Sequence, residues 1–247
     1  MSAVQFAERS SAAAPPHAAW ITDVPEGSVY GSLYAAPAPD REAVADRFAA
    51  IGLPIHLDVI LDREDTGELV HRGIVAAELR DLGARHPDSL LEVHLIVLAG
   101  ARGRAVDGYD PELRDEIAAV LEAAASVGAQ RAAVPAGVAA DASLTEAFRA
   151  AGGEVWTVLE PGDDPASLDA GTAGALIMLI EPGTREPARP ELLERIPQLA
   201  PAVQVSVDGG VDAAIALRAI ELGAHHVIVG RALLGRAHTQ AVRGEQS

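Results

Sequence analysis

The chain has 247 residues and carries 36 acidic against 19 basic side chains, a net charge of −17, which opposes general binding to nucleic-acid phosphates. It has no cysteine, which excludes disulfide frameworks, thiolate nucleophiles and cysteine-ligated zinc; every basic residue is arginine, which excludes Schiff-base and P-loop lysine chemistry. Apolar residues form 49% of the chain and aromatics only 3%, so Ala, Val, Leu and Ile must fill the core, a composition suited to helices packed on a parallel sheet.

Residues 1–27 are rich in Ala, Ser and Pro and lack the basic start and continuous apolar run of a secretory signal. They are expected to form a flexible N-terminal extension, or a tail packed across one end of the domain through Trp20 and Ile21. No apolar run is long enough to cross a bilayer, so a cytoplasmic enzyme without a membrane partner is expected. From Val29 onward, eight short apolar runs read as strands, at 28–35, 54–61, 90–98, 130–137, 154–160, 174–181, 202–210 and 225–232. Between them the pattern predicts helices over 40–51, 111–127, 144–151, 190–198 and 212–222, several closed by Gly before the next strand. Strict alternation of this kind predicts an α/β fold, a single (β/α)8 TIM barrel over 28–238 with a C-terminal tail at 239–247; a doubly wound open sheet is the alternative.

Side chains alternate across a strand, so in the second run, "PIHLDVIL", His56 and Asp58 share one face. A buried imidazole and carboxylate need partners. Active sites of such barrels gather at the C-terminal strand ends, where His94 on the third strand and Asp208 on the seventh could join that pair. Together the four could serve as ligands of Zn, Mn, Fe(II) or Co(II). Glu160 and Glu181 each precede Pro-Gly and read as turn residues. The acidic stretch 62–68 reads as a solvated loop or a cover for the site. His225 and His226 open the last strand at the end away from the site, and His17, His71, His86 and His238 fall in loops or tails; none is assigned a role.

Four short motifs, "HLD" at 56–58, "VHLI" at 93–96, "EPG" at 181–183 and "VDGGV" at 207–211, stand in an order and spacing that resembles the ribulose-phosphate 3-epimerases over about 29–234. The resemblance implies one divalent metal ion (Zn, Fe(II), Mn or Co) on His56, Asp58, His94 and Asp208. Asp58 and Asp208 would double as acid and base to invert C3 of a small ketose phosphate through an enediolate. It further implies substrate or phosphate contacts from Ser32, Met178, Gly183, Gly209, Gly210, Gly230 and Arg231, in a protein of carbohydrate metabolism for which a homo-oligomer is one expected state. The chain departs from the family at Ala35–Ala36–Pro37, at Ile60 and Ile96 where methionines shield the intermediate, and at "TREP", 184–187, in place of a Gly-rich phosphate loop. Arg185 and Arg231 could restore positive charge there. Alternatives are an epimerase for a different ketose, or a barrel that keeps the metal site without turnover and works as a binding or regulatory protein. An orotidine-phosphate decarboxylase type is disfavoured by the missing lysine.

Overall fold

The structure, a computed structural model, describes residues 16–99, 104–105, 109–168, 171–182, 184 and 186–234. Eight parallel strands close into a barrel: β1 (Val29–Ser32), β2 (Ile55–Arg63), β4 (Leu91–Ala99), β6 (Arg131–Val134), β7 (Glu154–Leu159), β8 (Gly174–Met178), β9 (Gln204–Asp208) and β10 (His226–Val229). Closure runs β2–β1–β10–β9–β8–β7–β6–β4, with β4 returning to β2. All eight runs read from the sequence are these strands. Around them lie α1 (Arg41–Ala50), α2 (Ala76–Arg85), α3 (Pro111–Ser126), α4 (Ala136–Ala140), α5 (Ala142–Ala150), α6 (Ile196–Leu199), α7 (Ala213–Glu221) and α8 (Arg231–Leu234). Among the described residues no helix is long and apolar enough to cross a membrane.

The strands are buried on both sides, and that explains their composition. Residues such as Leu57, Val93, Val155, Ala175, Val205 and Val227 pack outward against the helices, while Tyr30, Ala133, Trp156, Val158, Leu176, Met178 and Ile228 form a separate inner cluster. Gly174 opens β8 beside the Trp156 indole, and a Cβ there would collide with the ring. Gly174→Ala is therefore expected to cost about 1–3 kcal/mol through overpacking, read as a lowered urea midpoint.

Three local features differ from expectation. The segment 190–198 is a 3-10 helix (Pro190–Arg195) followed by the short α6, because Pro197 lacks an N–H and begins a helix more readily than it continues one. The acidic stretch 62–68 is the end of β2 and the turn into an added strand, β3 (Leu69–Gly73), which pairs antiparallel with β2 from Val59↔Gly73 to Arg63↔Leu69. Asp62 is buried there and accepts from Arg72 Nε at 2.9 Å. A two-residue strand, β5 (Arg104–Ala105), pairs in the same sense with the end of β4. Strands β2 and β4, nine residues each, thus stand higher than the rest of the wall. Within the N-terminal segment, Pro16–Asp23 is a 3-10 helix whose Trp20 and Ile21 pack against the core.

Candidate active site

Strand register brings the site together. His56 pairs across the ladder with Glu92, and Asp58 with His94, so two inward-facing levels alternate on neighbouring strands. Glu92 in turn sits beside Arg131 on β6, and Met178 beside Asp208 on β9. At the upper level, Asp58 Oδ1 lies 3.3 Å from His56 Nε2 and 3.2 Å from His94 Nδ1. Its other oxygen accepts from Ser32 Oγ at 2.9 Å. Asp208 Oδ2 approaches the same two rings, at 3.6 Å from His94 Nδ1 and 3.8 Å from His56 Nε2, while its Oδ1 accepts from the Gly209 N–H at 2.6 Å. One ligand-type atom from each of His56, Asp58, His94 and Asp208 lies within 4.8 Å of the others, a spacing that could hold a cation. Asp208 is the most open member, its side chain 15% exposed, whereas the histidines are fully buried.

These contacts separate the protonation states. Burial alone would raise the Asp58 carboxyl, but the charges and hydrogen bonds of His56 and His94 outweigh it and hold Asp58 ionised well below the usual carboxylate range. Burial would lower His94, yet hydrogen bonds to Asp208 and Asp58 hold it above its ordinary value. His56 is likewise raised, against its burial, by Asp58 and by Glu92. The site therefore favours an ionised Asp58 and shifts both imidazoles toward their protonated forms, with His94 Nε2 buried and without a hydrogen-bond partner.

A second level lies beneath. His56 Nδ1 is 2.8 Å from Glu92 Oε1, and Arg131 Nη1 donates to Glu92 Oε2 at 3.2 Å. The Arg131 guanidinium stacks 4.4 Å from the Trp156 ring centroid and 5.4 Å from that of Tyr30, and reaches His226 Nδ1 at 3.3 Å. These groups close the lower end of the barrel. Glu92, Arg131 and His226 carry no role in the sequence reading. Strand alternation puts Glu92 on the face of His94, so that signal was present; the partnership with Arg131 needs the closed register.

The other expected site residues divide. Ser32 is part of the cluster through Asp58, and Met178 lies in the inner apolar wall. Gly209 and Gly210 take φ of +103° and +69°, a turn that sets the chain after β9 close to Ile180 and Ala188. Gly230 packs closely on Ala35, and Arg231 is exposed at the start of α8. Gly183 and Arg185 lie outside the described residues. Ile60 and Ile96, with Leu98, form a small apolar cluster on the tall strand pair. Glu181 pairs with Arg189 at 3.1 Å. Glu160 is pushed up by burial and by the neighbouring Asp163 and Glu181 carboxylates.

The fold and site define a (β/α)8 barrel with a buried carboxylate–imidazole cluster at the C-terminal ends of its strands. No protein-family model matches the chain, and no curated protein sequence does. Among solved structures it is similar to a mutant tryptophan synthase α-subunit from Pyrococcus furiosus, at 16% identity and a TM-score of 0.57, covering 89% of this chain and 96% of that one. An α-subunit structure described with the α2β2 complex of the same organism gives 16% identity and 0.58, covering 90% and 92%. A crystal structure of the tryptophan synthase complex gives 14% and 0.56, covering 90% and 91%. Identity this low shows the TIM barrel alone.

Several expectations are corrected by these neighbours. They are tryptophan synthase α-subunits and not ribulose-phosphate 3-epimerases, so the resemblance reduces to the shared barrel, and with it go the C3 epimerase of ketose phosphates, its variant for a different ketose, the isomerase class, the pentose-phosphate and carbohydrate-metabolism setting, and the non-catalytic barrel built on a retained metal site. The single divalent ion falls with the metal-dependent epimerase that implied it, because the neighbours are of another kind.

Proposed function

We propose that the chain is an acid–base enzyme of the lyase class acting on a small phosphorylated substrate at the C-terminal mouth of the barrel. The observation that carries this reading is Asp58 Oδ1 held 3.2 Å from His94 Nδ1, an imidazole raised by its carboxylate neighbours, with the more open Asp208 facing the same ring. In the reaction, Asp208 takes the proton of a substrate hydroxyl, the oxygen electrons form a carbonyl, and the adjacent carbon–carbon bond breaks. The leaving carbon receives the electron pair and a proton from the His94 imidazolium. Asp58 steadies the imidazolium, and the proton gained by Asp208 returns to His94 as the two, 3.6 Å apart at rest, draw together, resetting the pair. Ser32 keeps Asp58 in place. The turn at Gly209–Gly210, together with Gly230 and Arg231, would receive the phosphate, since the loops after the last two barrel strands are the usual anion site of this fold. Met178 would form the apolar side of the pocket.

Two of the structural neighbours come from tryptophan synthase complexes, which supports including a protein partner in the proposal. The test is incubation of the protein in D2O with a panel of small hydroxy-carbonyl phosphates, followed by proton NMR. Cleavage of one compound, with deuterium on the carbon that lost its bond, is expected. A panel that shows neither cleavage nor exchange overturns the reading.

A further inference from the structure

Glu92 lies beneath the proposed acid–base cluster, fully buried, and takes no direct part in the chemistry above. Its two oxygens face different partners, His56 Nδ1 at 2.8 Å and Arg131 Nη1 at 3.2 Å. Arg131 is itself fixed, stacked over Trp156 and Tyr30, with its remaining donors against the His226 ring and its Nε 3.8 Å from Glu154 Oε2. An imidazole in a cavity can rotate about its χ2 bond and exchange the two nitrogens between surroundings; an ionised acceptor beneath one edge removes that freedom. We infer that Glu92, clamped by Arg131, is a positioning residue that binds the Nδ1–H of His56 and so aims Nε2 at Asp58.

This inference deepens the lyase reading, because it assigns how the site's geometry is held. Charge placement agrees with it. Burial would raise the Glu92 carboxyl, but the hydrogen bond from His56 and the charges of His56, Arg131 and His226 hold it below its usual range, so it is a full anion beneath the ring.

The test reads the His56 ring and not turnover, so it separates the two proposals. In 15N-labelled protein, the His56 Nδ1–H should appear as a downfield signal in slow exchange with water. In Glu92→Gln, which keeps the shape but removes the charge, and in Glu92→Gln/Arg131→Met, which leaves no unpaired guanidinium, exchange of that proton should accelerate about 10- to 100-fold, the value of a hydrogen bond to a charged group. The Nε2 resonance should shift as the ring loses its fixed aim, while backbone amides outside the barrel interior stay in place. Equal protection of Nδ1–H in wild type and in either folded variant overturns the inference. Loss of protection upholds it even if the wild-type protein cleaves no compound in the D2O panel, a result that counts against the lyase reading alone.

Discussion

Asp208→Asn is expected to lower turnover by about 10²- to 10⁴-fold, the range for loss of a positioned acid–base group, with little change in the urea midpoint. Asp208 sits at the end of β9, its Oδ1 tied to the Gly209 N–H and its Oδ2 turned to the two histidines. Asparagine keeps the backbone contact and the volume but cannot accept a proton. Asp58 remains in place as the carboxylate both histidines share, so the buried imidazoles keep a counter-charge after the change. Asp58→Asn behaves differently: it removes the carboxylate that three buried partners share, so activity and stability fall together. Turnover of Asp208→Asn within about tenfold of wild type would take Asp208 out of the reaction, by the same scale.

The second large effect is on stability against pH. His226 is held down to about 4 by burial first and the Arg131 charge second. A depressed group contributes nothing adverse above its unfolded value of 6.5; as pH falls from there to about 4, the unfolded chain binds a proton that the folded one refuses, and stability drops. A shift of this size corresponds to about 3 kcal/mol over the window. His56 and His94 do not mask it, since their raised values leave them protonated in both states below 6.5; their stabilisation is lost as pH climbs above that point. Asp58 and Glu92, both depressed carboxylates, lose theirs only below about 4, where the unfolded carboxyls protonate. Urea midpoints measured between pH 6.5 and 4.5 should therefore fall in the wild type and stay nearly level in His226→Gln. Parallel slopes in the two proteins would show that His226 titrates freely.

How far the sequence could be read follows from what each feature depends on. The eight strands were legible because burial on both faces demands continuous apolar runs of the right length. His56, Asp58, His94 and Asp208 stood out because polar residues break those runs. Glu92 breaks one too, but at the start of a strand a glutamate reads as a boundary residue, and only the pairing of β4 with β6 supplies Arg131 as its partner. Strand β3 was missed because "LVHRG" offers two apolar residues and pairs with the overrun of β2, a long-range fact. Function was least legible. Short motifs that mark strand ends in a barrel arise from the needs of turns and buried polar pairs, and they recur without common chemistry.

The packed floor of Tyr30, Arg131, Trp156 and His226 governs traffic. A barrel stoppered below has one door, so under the proposed lyase reaction substrate and cleaved fragment would share the upper mouth. Under that reading, release of the fragment past the rim would pace the cycle.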